Sequence, residues 1–250
     1  MAQLRSTCCA GGYPLGDVEK SVTKRLVNVS KPEQSKKNRI DATETTRRLL
    51  LVAAREAFSV SGLEGARVDD IARRAGLNKQ LVYHYFVNKE GLYTAVLEEV
   101  YAEIREREAA LDLRAFPPEE AMRRLIEFSF GHLSENRDFV RLLADENTHG
   151  GRHLNNSLTL RNTNTPIIDL IGETLDRGVR DGVFRTGLDP LHIYLSIAGM
   201  SFFFFANIHT LSRIFEEVHD TVHGRDVRRA HIVDFTMNAI RLRIDPNAQV

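Results

Sequence analysis

At 250 residues, with 42% hydrophobic and 27% charged side chains, the chain can bury a sizeable core and has the balance of an ordinary water-soluble protein. Its zero net charge conceals a division: residues 1–91 hold 16 Lys and Arg against 10 Asp and Glu, and residues 92–250 hold 18 against 24, which predicts a polyanion-binding end and a separate acidic body. The two cysteines, Cys8 and Cys9, leave no disulfide framework for a folded part, so a reducing, cytoplasmic setting is expected, and the longest mostly apolar run, Leu191 to Ala206, is short of the ~20 residues that cross a bilayer.

Residues 1–40 mix Gly, Pro, Ser and Lys without a period and predict a disordered, basic tail. Periodicity starts in TETTRRLLLVAAREAFSVSGLEG, where Leu50, Ala54, Ala57, Phe58 and Ser61 follow the spacing of a helix that buries one stripe, and Gly62 ends it. VDDIARRAG predicts a short helix with Asp69 and Asp70 in its first turn and Gly76 just beyond its end. LNKQLVYHYF predicts another, with Asn78 as N-cap and Val82 and Phe86 inward. A longer helix opens at NKEGLY and runs to about Leu111, before Pro117 and Pro118. Helices are then expected at about 118–135, 137–147, 164–181, 188–206, 207–217 and 224–243, with no alternating strand pattern, so the fold class is all-α.

The two short helices joined through Gly76, Leu77 and Asn78 have the size and punctuation of a helix-turn-helix. Ile71, Ala75, Leu77, Val82 and Phe86 would form its shared core, leaving Lys79, Gln80, Leu81, Tyr83 and His84 to face outward. Lys suits phosphate or guanine, Gln suits adenine, Leu a thymine methyl, and a Tyr hydroxyl suits phosphate. The same corner could contact protein instead of DNA. An enzyme reading lacks a nucleophile outside the tail, a glycine-rich phosphate loop and an H-E-x-x-H motif.

The string from Thr46 to Leu97, with its AF helix ending, SG turn, VDDIARRAGLNK, VYHYF and NKEGLY, closely resembles the N-terminal domain of the tetracycline-repressor (TetR) family of one-component regulators. The resemblance implies a DNA-binding domain at 41–91 and a helical effector-binding and dimerisation domain at 92–250. It also implies a homodimer that binds a palindromic double-stranded DNA operator and leaves it when an unknown small-molecule effector binds. Position by position, Asn78, Lys79, Gln80 and Leu81 fall where the family starts its recognition helix, Tyr83, His84 and Tyr85 on its aromatic contacts, and Lys89 on its backbone-clamping lysine. Arg67 stands where Ser or Thr often caps helix 2, which predicts a weakened cap and an added phosphate-directed cation. Dimerisation is expected through the last two long helices, including Ile232, Phe235, Ala239 and Leu242.

Effector-pocket candidates are Phe128, His132, Phe139, Asn162, Phe203, Asn207 and His209, as apolar walls and polar anchors. Four consecutive rings, Phe202 to Phe205, sweep roughly 300° of a helix and cannot share one face, so they are expected to divide between core or pocket and the twofold partner. His149 and His153, with Asp145 and Glu146, and His219 and His223, around Asp220, have metal-ligand spacing but fall in apparent loops, so solvated histidines and no metal or other cofactor are expected.

Overall fold

The structure is a computed structural model that describes residues 31–155, 157 and 165–242, so residues 1–30 of the expected tail, and Asn162, lie outside it. The chain forms two compact units, Met1–Arg48 and Leu49–Val250. What is described of the first is helix. The helix α1 (Lys31–Gly65) therefore starts ten residues inside the segment expected to be disordered. KPEQSKKNRIDA consists largely of good helix formers behind a proline near the start, and the mixture of charges hid this because no apolar stripe accompanies it.

Eleven helices make up the described residues, and the only extended pairing among them is an isolated bridge between Phe184 and Arg241. After α1 come α2 (Val68–Arg74), α3 (Lys79–Phe86) and α4 (Lys89–Ala109), then a 3₁₀ turn at Leu113–Ala115. The larger body follows with α5 (Pro118–Glu135), α6 (Arg137–Thr148), α7 (Arg152–Asn155), α8 (Thr165–Arg180), α9 (Pro190–Ala206), α10 (Ile208–Ile214) and α11 (Val222–Ile240). Prolines open α5 and α9 at the first turn, where their missing N–H is no loss, and Asp189 caps α9 by accepting from the N–H groups of Leu191 and His192.

The α1 stripe is buried at Leu50, Ala54, Ala57 and Phe58, with Leu51 and Ala53 beside them, whereas Ser61 is exposed. The helix breaks at Gly62, whose φ of 67° and ψ of 178° lie in a region open almost only to glycine. A Cβ there would also come within 2.6 Å of an Asp145 carboxylate oxygen. The core continues without interruption from Leu50 to Ile240, with α5 at the centre of the larger body against α6, α8, α9 and α11.

The four rings separate by face. Phe204 and Phe205, 6% and 4% exposed, pack against Phe130 at 5.9 and 4.7 Å between centroids. Phe202 is half-buried, and Phe203, 56% exposed, points away from the core. No single helix among the described residues is long and apolar enough to cross a membrane; α9 and α10 reach that length only together, and the chain bends by 71° between them.

Candidate nucleic-acid interface and ligand cavity

The α2–α3 corner is built from local signals. Gly76, at φ +68°, closes α2: its N–H donates to Arg73 O at 3.1 Å and the Leu77 N–H to Ala72 O at 2.9 Å, which satisfies two end carbonyls. Asn78 then starts α3 by accepting from the Gln80 N–H at 2.9 Å. Arg67 begins α2 with no side-chain cap, as its residue type predicts, and Asp69 and Asp70 supply the favourable charge there. Ile71, Ala72, Val82 and Phe86 are buried, and this back face fixes the orientation of the front.

On that front Lys79, Gln80, Tyr83 and His84 are exposed, together with Arg67 and Asn78. Leu81 departs from the expectation: it is half-buried and packs on the core, because one turn of helix from Leu77 and Tyr85 puts it at the edge of the inner stripe. Tyr85 is likewise half-buried, its ring 5.0 Å from that of His84. Lys79 Nζ pairs with Asp69 at 3.1 Å across the corner. Lys89 reaches back to the carbonyls of Glu64 and Ala66, at 3.4 Å each, and so ties the start of α4 to the end of α1.

Between α3 and α4 the chain turns through Val87 at φ 69° and ψ −52°, with the Asn88 N–H donating to Phe86 O at 2.7 Å. This is a γ-turn of the rare positive-φ kind, and a β-branched residue is poorly suited to it. Val87 is 78% exposed, so its side chain offers little packing in return. Val87→Gly is expected to raise stability by about 1 kcal/mol, read as a higher urea midpoint at unchanged slope; an unchanged or lower midpoint counts against strain at this turn.

In the larger body, α4, α5, α6 and α9 enclose a chamber of about 90 Å³ with walls that include Tyr101, Leu133, Phe139, Leu143, Ala198 and Phe202. Arg105, Glu108 and Tyr194 bring its polar groups. A cavity of about 440 Å³ shares Arg105 and Glu108 with this chamber and is also bounded by Ala109, Leu113, Pro166, Ile167 and Leu170. Arg105 bonds Glu108 and donates from Nη2 to the Tyr194 hydroxyl at 2.8 Å. Burial pushes the Glu108 carboxyl up to about 7 even though Arg105 pulls it down, and burial with Tyr194 nearby pushes the Tyr101 phenol up to about 12.

Of the candidates read from sequence, Phe139 lines the chamber. His132 is buried with its ring 5.6 Å from Phe139, and burial lowers its pKa, favouring neutral imidazole. The Phe128 ring lies 5.7 Å from that of His132 and tilted to it by 39°. Phe203, Asn207 and His209 are not brought there. Phe203 faces outward, Asn207 donates from its side chain to Phe203 O at 2.9 Å at the end of α9, and His209 is exposed. Phe202 takes the place expected of Phe203, one residue and about 100° away. Arg105, Glu108 and Tyr194 are chamber residues the sequence did not single out. A larger hollow of about 540 Å³ is an open groove along α9, α10 and α11 that includes Phe203, Phe215, His219 and His223.

His219 and His223 are exposed, but His149 and His153 are not the solvated loop residues expected. The Glu146 carboxylate accepts from the N–H groups of His153 at 2.8 Å and Leu154 at 3.3 Å, and thereby caps the single turn α7 that glycine content had suggested was loop. Its other oxygen meets His153 Nδ1 at 2.7 Å. The neighbouring Asp145 accepts from the Leu63 N–H at 2.9 Å and the Tyr93 hydroxyl at 3.0 Å, linking α6 to the chain just after Gly62 and to α4. Burial first, then this carboxylate, raises the Tyr93 pKa. No cluster of three metal-ligating side chains occurs among the described residues.

The sequence matches the family described as bacterial regulatory proteins, tetR family, over residues 50–96, and the tetracyclin repressor-like C-terminal domain over residues 118–236. It is 36% identical over 174 residues to the HTH-type transcriptional repressor NicS of Pseudomonas putida, spanning 70% of this chain and 82% of that one. The fold is shared with SCO4942 from Streptomyces coelicolor, at TM-score 0.59 and 26% identity over 78% of this chain and 98% of that one. The ketosteroid transcriptional regulator KstR2 of Mycobacterium tuberculosis has the same fold at TM-score 0.59 and 21% identity, over 79% of this chain and 95% of that one. With a helix-turn-helix at one end and the family's own C-terminal domain at the other, the chain belongs to the tetracycline-repressor family, and is a DNA-binding transcription regulator and not an enzyme.

Proposed function

We propose that the protein is a ligand-responsive repressor that binds a palindromic operator as a homodimer in a reducing cytoplasm and leaves it when an effector fills the chamber. Residues 41–91 would carry DNA binding, and residues 92–250 the effector and the dimer contact. The observation that carries the DNA role is the front of α3, where Lys79, Gln80, Tyr83 and His84 are exposed on a helix whose back is locked into the core. Gln80 and His84 would read base edges, while Arg67, Asn78, Lys79, Tyr83 and Tyr85 hold phosphates. Leu81, half-buried, has less reach and meets at most a thymine methyl. The kinship with NicS, itself named a repressor, favours repression over activation.

Lys89 has two jobs in this reading. It clamps phosphate, and it holds the carbonyls of Glu64, at the end of α1, and Ala66, just beyond it. Genomic footprinting would recover the operator. On that operator Gln80→Ala is expected to cost about 1–3 kcal/mol and relax preference at particular base pairs, whereas Lys89→Ala weakens binding to all sequences and lowers the salt slope by about 1. Binding by both variants that equals the wild type in affinity and salt dependence would show these assignments to be wrong.

Dimerisation is supported by an apolar row, exposed among the described residues, on each of the last two long helices. On α9, Leu191, Leu195 and Phe203 stand at helical spacing and are exposed; on α11, Val227 and Phe235 do the same, with His231 stacked on Phe235 at 6.1 Å. Ile232, placed in the same expected seam, is fully buried in its own subunit instead. Two subunits related by a twofold axis would set two α3 helices on half-sites one DNA turn apart.

A further inference from the structure

The chamber holds a charge arrangement that ligand responsiveness alone leaves unexplained. Arg105 lies at the boundary between the 90 Å³ chamber and the 440 Å³ cavity, and both hollows share it with Glu108. Its Nη1 bonds Glu108 and its Nη2 bonds Tyr194, but Nε is buried with no hydrogen-bond partner among the described residues. A guanidinium only 11% exposed, with one buried N–H unsatisfied among the described residues and a hollow of ligand size beside it, is a seat for a planar anion.

We propose that the effector is an organic acid with an apolar body, whose carboxylate displaces Glu108 as the partner of Arg105 while Glu108 takes up one proton from solvent. This rests on the reading of the chain as a ligand-responsive regulator.

The sign of the charge follows from an asymmetry between the two members of the pair. Arg105 cannot shed its proton, so a cationic ligand that took Glu108 from it would strand a buried cation. Glu108, 4% exposed and bonded only to Arg105 among the described residues, already has its carboxyl pushed up to about 7 by burial, so it neutralises readily. Among the described residues, the other elements around the pair do not supply a competing cation. Tyr101 and Tyr194 face it from α4 and α9, α5 and α6 present Ser129, Leu133, Phe139 and Leu143, and α8 presents Pro166, Ile167 and Leu170. At the rim Glu106 and Asp112 are exposed, and Arg114 is held by Glu173 at 2.7 Å. Those rim charges are screened by solvent and act weakly on the buried pair. The apolar walls specify the remainder of the ligand.

The test is calorimetric titration of the full-length protein with straight-chain monocarboxylates from acetate to decanoate and with benzoate, set against the matching amides and amines, at about pH 6 and about pH 8. At least one acid is expected to bind at least about tenfold tighter than its amide or amine, and about tenfold tighter at the lower pH, since only the fraction with Glu108 protonated is competent. Proton uptake, read from buffers of different ionisation heat, should approach one per ligand at the higher pH. Arg105→Met should abolish acid binding, and Glu108→Gln should bind the same acid with equal affinity at both pH values. An amine or amide that binds as tightly as its acid, no acid that binds, or a Glu108→Gln protein that keeps the pH dependence overturns the proposal. Gel shifts on the same preparations separate the two failures: operator binding without acid binding removes this inference alone, whereas a wild type that binds no operator removes the regulator reading.

Discussion

Asp145→Ala is expected to lower stability by about 2–4 kcal/mol, measured by urea unfolding, which is a large share of a typical domain's total. The carboxylate is the acceptor for two donors that have little access to water, the Leu63 N–H and the Tyr93 hydroxyl, and both parent residues are essentially fully buried. Truncation leaves both donors short of a partner, and Tyr93 retains only a weaker contact to Leu142 O at 3.3 Å. Tyr93→Phe removes a donor instead of stranding one, so its cost should be nearer about 1 kcal/mol, and the double variant should cost less than the two single effects added together. A loss below about 0.5 kcal/mol for Asp145→Ala would mean that α6 is not held to the end of α1 through this group. The position of the contact gives it a second role. Phe139 and Leu143 of α6 line the chamber, and Asp145 lies half a turn further along the same helix. In Asp145→Asn, which keeps one oxygen acceptor, operator binding should persist while its release by ligand weakens.

The second large effect concerns assembly. Wild-type protein is expected to sediment as a dimer, at twice 28.3 kDa, and Leu195→Glu combined with Phe235→Glu to sediment as a monomer. Both side chains are more than half exposed in the single chain, so the substitutions disturb no core, while four carboxylates facing one another across a twofold seam would oppose association. Operator affinity should fall by more than about 100-fold, because each half-site is then bound independently and the effective concentration of the second is lost. A wild type that sediments at 28.3 kDa would remove the dimer reading outright.

Residues that act locally were legible in the sequence. Gly76, Asn78 and Pro118 mark helix ends wherever they stand in the fold, and the helices of the larger body other than α7 begin and end within three residues of their expected positions. The front of α3 was legible for the same reason, apart from Leu81, which lies at the edge of the inner stripe and is half-buried against the core. The chamber was not. Arg105 and Glu108 have the same i, i+3 spacing as the exposed pair Asp226 and Arg229, and only tertiary packing separates a buried pair from a solvated one. His153 likewise read as a loop residue because its anchor, Glu146, is seven positions away and acts through space.

The division of the four rings has a consequence for dose response. Phe202 touches the chamber and Phe203 stands in the outward row, yet they are consecutive residues of one rigid helix. A ligand that shifts α9 by pressing on the first ring would carry the second with it, and in the proposed twofold dimer the second ring would abut the other subunit. In the proposed dimer, filling one chamber would change the affinity of its twin, so saturation should depart from a simple hyperbola and occupancy of a single subunit should already bias the pair.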